Sequence, residues 1–194
     1  MLSFKFKNAV ASFMKFEEII EGINKKSAPT GLPIRIIAID GRGGSGKSML
    51  AEKLAKEIGA ETIHTDDFAS WAKPLDWWAR VVKEVFEPVK QGALTLSYRR
   101  GSWGPDHHPA AVKNQPVTPM IILEGVSSAR KEFREYLTYA IWVETPLDVC
   151  LQRGLERDGQ DALPNWQKWI AAENEYIVRD KPQTYADIIV DGAG

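Results

Sequence analysis

The sequence predicts a three-layer α/β/α sandwich built on a five-stranded, mostly parallel sheet, and three observations predict it. Short apolar runs that read as buried strands alternate with amphipathic segments that read as helices. The first apolar run leads through a glycine-rich turn, GRGGSGKS, directly into a helical segment. The length, 194 residues, suits one compact α/β domain and scarcely two.

Taken in order, residues 3–25 read as an amphipathic helix, with Phe13, Phe16, Ile19, Ile20 and Ile23 recurring at helical spacing. Residues 27–33 hold two prolines and a glycine and read as a linker, so that residues 1–30 are expected to precede the main domain, 31–194. IRIIAID (34–40) is a strand apolar on both faces. SMLAEKLAKEIG (48–59) is the helix after the turn, with Gly59 suited to its C-terminal cap. ETIHT (61–65) is a second strand, and residues 76–91 carry a helical stripe of Trp78, Val81, Val82, Val85, Phe86 and Val89. LTLSY (94–98) fits a hairpin strand, and 99–118 reads as an irregular loop. PMIILEG (119–125), YAIWVE (139–144) and ADIIVDG (186–192) complete the strands. Thr145-Pro146 starts a helix, a hydroxyl followed by proline at the first helical position.

Composition removes several classes of function. A net charge of −1 supplies no basic field for nucleic acid. No apolar run approaches the ~20 residues of a membrane span, and the N-terminal segment lacks the apolar core of a signal peptide. The single cysteine, Cys150, cannot form an intrachain disulfide, which fits a cytoplasmic setting. Neither nucleic acid nor membrane is therefore expected as a partner, and self-association is left open. His107 and His108, without a third ligand nearby, do not make a zinc site.

The turn carries the chemistry. Gly41, Gly46, Lys47 and Ser48 match G-x-x-x-x-G-K-[ST], and Gly43, Gly44 and Ser45 fill the loop between them. Glycines let backbone approach phosphate oxygens, and successive N–H groups at a helix N-terminus face the anion. Lys47 can reach the β- and γ-phosphates of ATP, and the Ser48 hydroxyl can ligate Mg²⁺. Kinase chemistry also needs carboxylates at strand ends. Asp66 and Asp67 follow the second strand, beside the phosphates in a parallel sheet, where one of them can accept the proton of an attacking hydroxyl. Glu124 ends an apolar strand and needs a partner, either Mg²⁺ with its waters or an ion pair to Lys47 or an arginine. Asp40, directly before the turn, reads as structural, accepting N–H bonds from the loop.

With these residues in view, the chain resembles the uridine kinase-like P-loop kinases, a group that includes pantothenate and nicotinamide riboside kinases. The resemblance spans most of residues 34–192 and rests on IDGRGGSGKS, TDDF, IILEG, LDVCLQRGLERD and YADIIVDG in that order and spacing. It implies the P-loop NTPase sandwich with strand order 2-3-1-4-5. It implies Asp66 as the catalytic base, and Ser48, Asp66 and Glu124 near the metal. It implies Arg153 and Arg157 over the ATP phosphates, in a lid of about residues 150–163. Those two arginines stand four apart, hence on one helix face. It implies an acceptor-binding insert of about 68–118. There Asp76 in PLDWW resembles the ribose-binding aspartate and Tyr98 in LSYRR the nucleoside-contacting tyrosine. Trp103 stands near the place of a base-contacting histidine, and Asp67 lies beside the base.

Trp71, Trp77, Trp78 and Trp103 crowd the insert, where some can stack on a base or wall off an acceptor, while Trp166 and Trp169, one helical turn apart, read as core. A nucleoside is the expected acceptor. Other phosphotransferase acceptors (a nucleotide monophosphate, a vitamin precursor or an antibiotic) and a non-catalytic nucleotide switch stay open. A G protein is disfavoured, because no Asn-Lys-x-Asp follows the turn.

Overall fold

The computed structural model describes residues 16–70, 73–101 and 111–193. Five strands form one sheet: β1 (Arg35–Gly41), β2 (Glu61–His64), β5 (Met120–Glu124), β6 (Tyr139–Glu144) and β7 (Ile188–Asp191). Their order is β2-β5-β1-β6-β7, and every neighbouring pair runs parallel. With the two hairpin strands left out of the count, this is the predicted order 2-3-1-4-5.

β1 is central because both of its faces are apolar. Ile36 and Ala38 enter one core and Ile37 and Ile39 the other, as a period of two requires. Each fully buried isoleucine contributes about 1.5–3 kcal/mol relative to exposure. On the Ile37 face lie the helix of residues 16–24 (α1) and α2 (Lys47–Ile58), which bring Phe16, Ile19, Ile23 and Leu54 into contact with the sheet. The remainder of the expected helix 3–25 lies outside the described residues.

The opposite face is covered by a helix that begins as α3 (Trp78–Val81), widens through a π turn (Val82–Phe86) and ends as α4 (Glu87–Lys90). Trp77 rather than Trp78 is the buried indole here, its N–H donating to the Pro74 carbonyl at 2.7 Å. The expected irregular loop 99–118 needs correction. Residues 112–116 form β4 (Val112–Pro116), paired antiparallel with β3 (Thr95–Arg99). The segment VKNQP has no apolar alternation to announce a strand. Its one buried side chain is polar: Gln115 donates to the Thr62 carbonyl at 2.8 Å and accepts from the Tyr98 hydroxyl at 2.9 Å.

After β6 come α5 (Leu147–Asp158), α6 (Leu163–Asp180) and the short α7 (Pro182–Tyr185). Lys181 caps α6 at a φ of 50°, and Pro182 prevents its continuation. α5 and α6 meet at Gly154, where an added Cβ would lie 2.3 Å from the Trp166 ring. Gly154→Ala is therefore expected to cost roughly 1–3 kcal/mol by overpacking. Chemical denaturation measures this, and an unchanged midpoint would mean that the two helices have room to separate. Among the described residues no helix is long and apolar enough to cross a membrane.

Candidate active site

The end of β1, the N-terminus of α2 and the carboxyl ends of β2 and β5 converge on one cleft of about 290 Å³. Open parallel sheets place ligands at this edge. The phosphate turn forms one wall. At Gly44 φ is 79° and a Cβ would stand 2.3 Å from the Cys150 carbonyl oxygen, so only glycine fits between the turn and α5. Gly41, Gly43 and Gly46 continue the turn, and Ser45, wholly buried, is held through its carbonyl, which accepts from the Thr145 hydroxyl at 3.0 Å. Lys47 is buried and folds back on its own loop, Nζ donating to the Arg42 carbonyl at 2.7 Å.

The carboxylates occupy the facing wall. The Ser48 hydroxyl donates to Glu124 Oε1 at 3.2 Å, and His64 Nδ1 lies 2.6 Å from Glu124 Oε2. Glu124 thus has a partner that the sequence did not suggest: a histidine from the neighbouring strand, level with it in the β2–β5 register. Burial would raise the Glu124 carboxyl, but the His64 bond and the Lys47 charge outweigh it and hold it below its ordinary value. The same hydrogen bond, against burial, raises His64.

Asp66 lies in a one-turn 3-10 helix, Thr65–Asp67, and lines the cleft with Lys47 and Glu124. Asp66 is exposed at the mouth of the cleft, and the protein packed around its carboxyl desolvates it only in part. That desolvation raises its carboxyl above the usual range, against the pull of Lys47 and Arg157. Such a shift makes a stronger proton acceptor.

Ser48 and Glu124 are hard oxygen donors side by side at the floor of this cleft, and they fit a magnesium ion that keeps several waters and takes its other ligands from phosphates. Among the described residues no three His, Cys, Asp or Glu side chains gather into a metal cage.

Several expected site residues are not brought to the cleft. Asp67, foreseen at the acceptor, is buried beneath the hairpin, ion-paired with Arg100 at 2.7 Å and Lys113 at 3.4 Å. Tyr98, foreseen at the nucleoside, stacks on Phe68 with ring centroids 4.9 Å apart and bonds Gln115. Burial raises its hydroxyl above the ordinary value. In this arrangement both brace the hairpin, and Tyr98 also lines a separate cavity with Arg80 and Arg100. Arg153 and Arg157 also separate, despite their shared helix face. Arg153 donates to the Gly192 carbonyl at 2.7 Å, because β7 ends within its reach, and so braces the turn from outside. Arg157 alone lines the cleft, its guanidinium forked onto Asp158 at 2.7 and 2.9 Å. Asp76 is exposed in the turn that opens α3. Trp103, Trp71, His107 and His108 lie outside the described residues.

Two contributions from α6 were not legible in the sequence. Trp166 and Trp169 are core residues, 4% and 8% exposed, but their edges also line the cleft. Glu173, 1% exposed, accepts from the Gly43 amide at 2.7 Å and from Trp169 Nε1 at 2.6 Å. A carboxylate in the middle of a helix gives no local sign that its partner lies 130 residues earlier.

Comparison with known proteins agrees with this architecture. Uridine kinases of Salmonella paratyphi B and Salmonella typhimurium are each 29% identical to the chain, over alignments of 189 residues covering 82% of it and 87% of the relative. A structure of a possible uridine kinase from Bacillus stearothermophilus superposes with a TM-score of 0.63 at 20% identity, covering 90% of this chain and 100% of the other. A candidate fructose transport system kinase from Silicibacter sp. TM1040 gives a TM-score of 0.64 at 16% identity, covering 90% and 98%. At those identities the two structures speak for the fold. No protein-family model matches the chain.

Proposed function

We propose that this chain, which resembles the uridine kinase-like P-loop kinases in sequence and in fold, transfers the γ-phosphate of ATP to a hydroxyl of a small molecule, and that the acceptor is a nucleoside. The observation that carries the reading is a cleft that joins the phosphate turn, with Lys47, to Asp66, Glu124 and Arg157. The uridine kinases to which the chain is similar supply the acceptor class.

In this reading the amides at the N-terminus of α2, from Gly46 to Ser48, hold the phosphates, while the Gly41 and Gly43 amides stay on Asp40 and Glu173 and fix the turn. Asp66 takes the proton of the acceptor hydroxyl as its oxygen attacks the γ-phosphorus, and ADP leaves with the β–γ bridging oxygen. Lys47 and Arg157 neutralise charge on the transferring group, Arg157 from a lid of about residues 150–163. Ser48 and Glu124 hold magnesium, which when bound offsets the charge of the phosphates. The insert of about 68–118 receives the acceptor, with Asp76 gripping its hydroxyls and Trp103 completing the contact.

The test is ADP release from Mg·ATP with a panel of ribonucleosides, their 2′-deoxy counterparts and unrelated alcohols. The expected result is acceptor-dependent turnover with a ribonucleoside. The deoxy analogue should lose at least about 10-fold in kcat/KM, because a site built around a hydroxyl leaves polar groups unpaired without it. Slow turnover indifferent to the whole panel would remove acceptor chemistry and leave a nucleotide-binding switch. Equal use of ribosides and deoxyribosides would remove Asp76 from its role.

A further inference from the structure

α6 touches the phosphate turn at two points one helical turn apart. Tyr176 donates its hydroxyl to the Asp40 carboxylate at the root of the turn, and Glu173 accepts the Gly43 amide in its middle. The second contact is unexpected on electrostatic grounds. A carboxylate with almost no solvent exposure is costly to bury, and this one stands against a loop whose amides suit an anion.

Its surroundings are correspondingly specific. Both the Gly43 N–H and the Trp169 indole N–H converge on Oε1, while Arg42 approaches Oε2 at 3.4 Å. Trp169 lies four residues before Glu173 on the same helix, so the indole fixes the carboxylate's orientation. The turn is pressed against this helix: a Cβ on Gly43 would meet the Trp166 ring at 3.0 Å and Glu173 Oε1 at 3.2 Å. Arg42, whose side chain pairs with Glu173, is also the residue whose carbonyl holds Lys47. Burial raises the Glu173 carboxyl, against the Gly43 bond and the nearby cations.

We propose that Glu173 is a positioning residue for nucleotide binding: by accepting the Gly43 amide it fixes the backbone of the phosphate turn in its binding shape before any phosphate arrives. The inference rests on the reading of the turn as an ATP site. Because the shape is set within the folded protein, nucleotide binding does not have to order the loop, and affinity rises accordingly. Glu173 is not among the residues lining the cleft, so it acts through the turn and not on the reacting atoms.

Two variants separate reach from charge. Glu173→Gln keeps an oxygen at the same reach and removes the charge. Glu173→Asp keeps the charge and withdraws it from Gly43 by one methylene. Isothermal titration with a non-hydrolysable ATP analogue and Mg²⁺, below the measured onset of unfolding, gives Kd for each. Glu173→Gln is expected within about threefold of the wild type. Glu173→Asp is expected to weaken binding about 10-fold, the scale of one hydrogen bond to a charged group. KM for ATP should rise in proportion in the Asp variant, with kcat at saturating ATP changed by less than about threefold, a split that a general loss of stability does not produce. Full affinity in Glu173→Asp, or equal losses in both variants, overturns the proposal. No binding to the wild-type protein overturns the ATP-site reading and this proposal with it.

Discussion

Lys47→Ala is expected to abolish acceptor-dependent ADP release, with a loss of at least about 10²–10³-fold, the scale on which a preorganised charge stabilises a transition state. Lys47 is the cation whose field reaches Asp66, Glu124 and Glu173, lowering each against burial. Its ammonium group rests on the Arg42 carbonyl, a neutral acceptor that a phosphate oxygen outcompetes. Removing it should take away the phosphate contact and leave Asp66 and Glu124, which line the cleft, facing the polyanion with less compensation, so analogue binding should weaken together with turnover. A coupled ADP assay measures the first and titration the second, with circular dichroism to establish that the variant is folded. Wild-type turnover in a folded Lys47→Ala protein would end the kinase reading.

Asp66→Asn is expected to lower kcat by roughly 10²–10⁴-fold, the usual contribution of general base catalysis, while leaving affinity for the ATP analogue near that of the wild type. The amide keeps the shape of the side chain and cannot accept the proton. Asp67→Asn is the control, because the two residues are adjacent and their surroundings differ. Asp67 is paired with Arg100 and Lys113 under the hairpin, so its loss should lower stability more than it lowers kcat in the folded protein. Should Asp67→Asn remove more of kcat than Asp66→Asn, the proton acceptor has been assigned to the wrong neighbour.

The parts of this molecule that were legible in the sequence are those whose cause is local. β1, the phosphate turn and α2 are contiguous, and their residue types alone fix a strand, a close-approach turn and a helix. The polar end of PMIILEG revealed Glu124 because a carboxylate closing an apolar strand demands a partner. The identity of that partner was not legible, since His64 meets it only through strand pairing. Arg153 and Arg157 share a helix face by spacing, and what divides them is the Gly192 carbonyl, just past the end of β7. Tyr98 was expected at the nucleoside from the resemblance alone, and its stacking on Phe68, a contact between distant segments, was not legible. Asp40 was correctly read as structural, though only the structure shows how far its donors come: Gly41 at 2.7 Å, Ser127 at 3.0 Å, Ala129 at 2.9 Å, and Tyr176.

That spread of donors bears on the order in which competence is acquired during synthesis. The motif of residues 41–48 is complete in sequence as soon as Ser48 has been added. Asp40, however, draws its partners from the loop after β5 and from a helix about 130 residues downstream, and Gly43 depends on the same helix. Contacts of such separation form late, because the loops they close are long. A nascent chain ending before α6 therefore presents the glycine-rich sequence without its scaffold, and the fixed shape of the turn waits on the synthesis of that helix.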